Sequence, residues 1–111
     1  MQLVFAVYKA TASFPRAEMY GLTSQLRRAA VSIPSNIAKS KGLRTNREFC
    51  AYLYRARGSL MELQTQLMIA RELEYISETG SSALLERCAS IGRGLAGLIN
   101  SLSETAAGVG A

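Results

Sequence analysis

The chain has 111 residues, 49% hydrophobic and 19% charged with only 2 prolines, which is enough apolar material for one packed domain and argues against global disorder. Histidine is absent and every acidic residue is glutamate, so a Ser-His-Asp triad, a histidine-based metal site and an aspartate pair are excluded. Thirteen basic against eight acidic residues give +5, and the excess sits at the front: positions 1–57 hold ten basic residues and two acids, positions 58–111 three and six. A chain polarised in this way can attract a polyanion with one part of its surface and pair with its own copies through another.

Apolar residues recur at spacings of three and four almost throughout, which predicts helices. The first predicted helix carries Leu3, Val7, Ala10 and Phe14 on one stripe and stops at Pro15. No basic residue precedes its apolar residues, so the opening is not read as a secretory signal. The second runs from about Tyr20 to Lys41 with Leu22, Leu26, Ala29 or Ala30, Ile33 and Ile37 inward, and Gly42 stops it. Pro34 lies inside it and deprives the Ala30 carbonyl of its donor, which predicts a kink costing about 3 kcal/mol or more. Small residues surround Pro34 (Ala29, Ala30, Ser32, Ser35, Ala38), and Gly58-Ser59 is the matching small patch for a close helix approach.

Thr45-Asn46-Arg47-Glu48 fits a capping box opening the third helix, Asn46 to about Glu74, in which Phe49, Leu53, Ala56, Leu60, Leu63, Leu67 and Ala70 share one stripe. Tyr75-Ile76-Ser77 is the next turn, with Ser77 as N-cap. The fourth helix places Leu84, Cys88, Ile91, Leu95, Leu98 and Leu102 on its seam. The expected fold is all-α: an antiparallel up-down four-helix bundle over residues 1–105, its second helix kinked at Pro34, with 106–111 as a flexible tail. Tyr52, Met68, Ile69, Leu85 and Ile99 lie beside the main stripes: each taken singly reads as a wider core face, and together they predict a second buried surface, hence self-association.

Lys39, Lys41, Arg44 and Arg47 cluster at the connection between the second and third helices, with Arg55 and Arg57 further along the third; no acid lies between Glu18 and Glu48. Phosphate backbones reward such clusters through counterion release, without base contacts. Arg27 and Arg28 follow Leu26 directly, so one of them lies near the seam. Its expected acceptors are Gln25, Asn36, Glu62, Gln64 and Gln66, in a polar network at a subunit interface or beside a nucleic acid. Phe49, Tyr52 and Tyr54 belong by spacing to the core, with base stacking as the alternative. No phosphate-binding glycine loop is present, the serines and the two cysteines have no histidine partner, and neither a cofactor nor a metal is expected. Cys50 and Cys88 read as reduced thiols of a cytoplasmic protein, with no membrane span.

The run Val7-Tyr8-Lys9, Phe14-Pro15, then Tyr20-Gly21-Leu22-Thr23-Ser24-Gln25-Leu26-Arg27-Arg28-Ala29-Ala30-Val31-Ser32-Ile33-Pro34-Ser35-Asn36-Ile37-Ala38 resembles the bacterial four-helix-bundle proteins of the 23S rRNA intervening-sequence family. So does Ala56-Arg57-Gly58-Ser59-Leu60 with Glu62-Leu63 and Gln64-Thr65-Gln66-Leu67. The family is similar in turn to the accessory variability determinant of diversity-generating retroelements, a basic homopentamer that binds nucleic acid and a reverse transcriptase. The resemblance implies an up-down bundle assembling as a ring of five, RNA binding, and no known catalytic activity. Lys39-Ser40 replaces the Glu-Gly usual in the family, which makes that corner more cationic, and Glu74 stands where a glycine commonly precedes the tyrosine.

The expected function is therefore a non-enzymatic, homo-oligomeric bundle that binds RNA or other nucleic acid through phosphates, with Arg27, Arg28, Lys39, Lys41, Arg44, Arg47, Arg55 and Arg57 as candidate contacts. The alternative is a protein-interaction scaffold whose partner is a reverse transcriptase or a ribosome-associated protein.

Overall fold

The computed structural model describes residues 2–110, with side chains described for 2–103. Four helices form, α1 (Gln2–Thr11), α2 (Leu22–Ser40), α3 (Asn46–Glu72) and α4 (Glu78–Gly110), with one 3-10 turn, Arg16–Glu18, between α1 and α2. They pack antiparallel: α2 on α3, α3 on α4, and α1 closing the square against α2 and α4. The expected tail at 106–111 lies outside the residues whose side chains are described.

The core forms where the apolar stripes meet. It comprises Leu3 and Val7 of α1; Leu26, Ala29, Ala30 and Ile33 of α2; Leu53, Ala56, Leu60, Leu63, Leu67 and Ala70 of α3; and Leu84, Cys88, Leu95 and Ile99 of α4. Ile37, Phe49, Ile91 and Leu102 pack at its edge. One position differs from the expected seam: Leu98 is 41% exposed, and Ile99, 3% exposed, takes its place in the core, as the wider-core reading of that residue has it. From Leu95 the core steps on by four to Ile99 instead of by three to Leu98, and both steps fit a helix of 3.6 residues per turn.

Local signals set the helix ends. The Thr11 hydroxyl donates back to the Val7 carbonyl at 2.8 Å, and α1 ends there rather than at Pro15. Phe14 enters the core from the connection, its ring 5.5 Å from that of Tyr75. Glu18 joins the two loops at this end of the bundle: one carboxylate oxygen accepts from the Leu22 N–H at 3.2 Å, the other from the Tyr75 hydroxyl at 2.9 Å. That hydrogen bond, with burial and the Glu18 charge, holds the Tyr75 phenol above its ordinary pKa. Thr45 caps α3 by accepting from the Glu48 N–H at 3.1 Å, and Ser77 accepts from the Gly80 N–H at 2.9 Å. Beyond α3, Glu74 adopts φ 63° while its N–H donates to Arg71 and that of Tyr75 to Ala70, both at 2.9 Å, which is a Schellman closure.

Helix length determines what the bundle exposes. At 1.5 Å per residue α1 is about 15 Å long and α4 about 50 Å. Gln2 lies beside Arg87, whose Nη1 donates to it at 3.3 Å, so α1 covers only the half of the bundle holding the Phe14 and Tyr75 loops. The other half, with the α2–α3 connection, is three helices deep in a molecule measuring 53 × 23 × 19 Å.

Candidate nucleic-acid interface

Helical phase sends the eight candidate cations in different directions. Arg27 turns toward α1: its Nε donates to the Thr11 hydroxyl at 2.8 Å, its Nη2 to the Tyr8 carbonyl at 3.5 Å, and its guanidinium carbon lies 4.7 Å from the Tyr8 ring centre. Its acceptors are thus on α1 and not among the glutamine, asparagine and glutamate side chains the sequence offered. Arg28 turns the other way, into an open cavity of about 530 Å³ between α2 and α3, lined also by Gln25, Ala29, Ser32, Ser59 and Glu62. Lys39 is exposed further along α2, about 16 Å from Arg28 at 1.5 Å per residue. Arg55 is exposed on the neighbouring flank of α3, its guanidinium 4.8 Å from the Tyr52 ring centre.

Lys41 and Arg44 are exposed at the α2–α3 connection itself. Arg47 begins α3 on the flank facing α4, where it lines a shallow apolar depression with Asn46, Cys50, Ala51, Tyr54, Leu102 and Ser103. Arg57 is exposed and, by helical phase, lies on the same flank. Lys39, Lys41, Arg44 and Arg47 are therefore gathered at one end of the bundle, with Arg28 and Arg55 along one side, while Arg57 lies on another and Arg27 is occupied within the chain.

Among the described residues the one ion pair is Arg71 with Glu72 at 3.8 Å, and none of the candidate cations is matched by a described carboxylate. Glu18, Glu72, Glu74 and Glu78 gather by the Phe14 and Tyr75 loops, which separates charge along the long axis. Burial pushes the Cys88 thiol up to about 11, which removes it as a nucleophile. No cluster of three or more metal-ligating side chains occurs among the described residues, and no described helix is long and apolar enough to cross a membrane.

Sequence reasoning placed small residues on α2 and α3 but not what they build. The Ser32 and Ser59 hydroxyls meet at 2.7 Å, and the Asn36 amide donates to the Ser32 carbonyl at 2.9 Å and hydroxyl at 3.0 Å. Gly58, the other half of the expected patch, faces open space. Glu62, exposed on the cavity wall, accepts from the Gln66 amide at 3.1 Å, and Gln66 is itself buried. The i, i+4 spacing of Glu62 and Gln66 was the available signal, because such pairs meet on a helix surface.

A family profile described as 23S rRNA-intervening sequence protein matches residues 1–97. The chain belongs to the 23S rRNA-intervening sequence protein family. Among solved structures, a protein of unknown function from the S23 ribosomal protein family of Bacteroides thetaiotaomicron VPI-5482 is 20% identical to it with a TM-score of 0.77, covering 86% of this chain and 87% of that one. At that identity the likeness bears on the fold: the four antiparallel helices are shared. A comparison with curated proteins finds no match. For this member of the intervening-sequence family, the candidate site is the basic corner, with the cavity between α2 and α3 beside it.

Proposed function

We propose that this protein is a non-enzymatic, cytoplasmic RNA-binding bundle that holds its ligand mostly by phosphates at the α2–α3 corner. The observation that carries the proposal is the exposure of Lys39, Lys41, Arg44 and Arg47 at one end of the bundle without a carboxylate partner among the described residues. Arg28 and Arg55 extend the basic surface along the side. Four phosphate contacts to a single strand give a slope of log affinity against log salt of about −3. Titrating labelled RNA at two salt concentrations tests this. Affinity that ignores salt, or no binding at low salt, overturns it, and replacing Lys41 and Arg44 by alanine lowers the slope by about 0.7 per residue.

The same proposal includes self-association, with a ring of five as the resemblance implies. Its support is exposed apolar surface on two opposite sides: Phe5, Tyr8 and Val31 on the α1–α2 side, Tyr54, Met61 and Met68 at seven-residue intervals on the α3–α4 side. A bend of α2 at Pro34 belongs to this reading. The exposed apolar residues also favour a second reading, a scaffold for a reverse transcriptase or a ribosome-associated protein. A partner captured by the tagged protein and retained after nuclease treatment favours the scaffold over RNA.

A further inference from the structure

The cavity between α2 and α3 has a composition that phosphate binding does not explain. Arg28, Gln25, Ser32, Ser59 and Glu62 line it, and a carboxylate in its wall repels phosphate. Arg28 and Glu62 share the cavity yet form no ion pair, so both remain available to a ligand. Two helices packed about 8–10 Å apart leave a groove that admits a base or one strand but not a duplex.

Building on the RNA reading above, we propose that this cavity receives one unpaired guanine base of the bound strand, with its Watson–Crick edge on Glu62. An ionised carboxylate only accepts hydrogen bonds. Guanine alone among the four bases presents two adjacent donors on that edge, N1–H and the N2 amino group. Adenine and cytosine present a donor beside an acceptor, and uracil a single donor between two acceptors, so each sets a lone pair against the Glu62 charge. The O6 of guanine, next to N1, meets the donors of Arg28 and Gln25, a pairing of the kind by which arginine reads guanine elsewhere. Gln66, buried and donating to one Glu62 oxygen at 3.1 Å, fixes the carboxylate and leaves its second oxygen and the remaining lone pair of the first to accept the two guanine donors. The Ser32–Ser59 pair and Ala29 keep the adjacent wall low enough for a flat ring. A strand running from the corner passes Lys39 and Arg55 on this side before it reaches the cavity, and splaying one base from a single strand is the usual mode of sequence reading in RNA.

The test is a fluorescence-anisotropy titration of the full chain with labelled oligo-uridine and with the same oligomer carrying one central guanosine, adenosine or cytidine. Guanosine is expected to tighten binding about tenfold over the other three. Glu62→Gln, an exposed change whose folding is checked by helical circular dichroism, is expected to abolish the preference so that all four oligomers bind alike. Equal binding of all four to the wild-type chain overturns the guanine site and leaves RNA binding standing. A guanosine preference that survives Glu62→Gln also overturns it. Failure to bind any oligomer at low salt sinks the RNA reading itself, and the guanine site with it.

Discussion

Glu74 holds a backbone angle, φ 63°, that costs a side-chain-bearing residue about 1–2 kcal/mol and costs glycine nothing comparable. Glu74→Gly keeps the Schellman bonds from residues 74 and 75 and is expected to raise stability by about 1 kcal/mol, read as a higher urea midpoint with an unchanged m-value. The two cysteines give a second prediction. Native protein exposes one reactive thiol, Cys50, to a disulfide reagent at mildly alkaline pH, and the second, Cys88, titrates only after denaturation. Because folding raises Cys88 from about 8.5 for a free thiol to about 11, its contribution to stability is complete below the lower value and is lost as pH rises toward the upper one. At this scale the caps were legible, since Thr45 and Ser77 act within three residues of themselves. Arg27 was not: its acceptors lie on another helix, and only the docking of α1 decides which of two adjacent arginines turns inward.

α1 is the shortest helix, held by Leu3 and Val7 in the core, Val4, Ala6 and Ala10 at its edge, the Gln2–Arg87 hydrogen bond and the Arg27 contacts. Arg27→Ala removes a charge-assisted hydrogen bond and a stacking partner of Tyr8, and is expected to destabilise the protein by about 2 kcal/mol in urea unfolding. Lysine is a poor substitute there, because it lacks the planar fork that reaches Thr11 while lying over the ring. Existence, order and inward faces of α1 to α3 could be read from spacing because three-and-four counting stays in phase along them, on α3 all the way from Phe49 to Ala70. On α4 the same counting missed one step: after Leu95 the core takes Ile99 rather than Leu98, and the expected stripe resumes at Leu102, because spacing alone does not decide between a step of three and a step of four. The end of α1 was also misplaced, since Phe14 completes the stripe from a connection that is no longer helical.

For the whole molecule, the self-association proposed above joins unlike surfaces, since the two apolar sides face opposite ways, and contacts of that kind close into rings or run on as filaments. Phe5→Glu and Met61→Glu are each expected to reduce the assembled mass in light scattering. Their mixture recovers one contact per pair and stops at dimers, whereas two unaffected elution masses refute self-association by these sides. The basic cluster was legible in the chain order because Lys39 to Arg47 fall together in sequence and stay together at one end. The cavity beside it was not, for it takes residues far apart in sequence from two helices that only the packed core sets side by side. The unequal reach of α1 and α4 has its own consequence. The bundle is thinnest where its cations are, so its amide protons are expected to exchange fastest at that end, and its unfolding to start there. A ligand bound across the corner acts as a splint on the weakest part of the rod, linking occupancy to the cohesion of the entire chain.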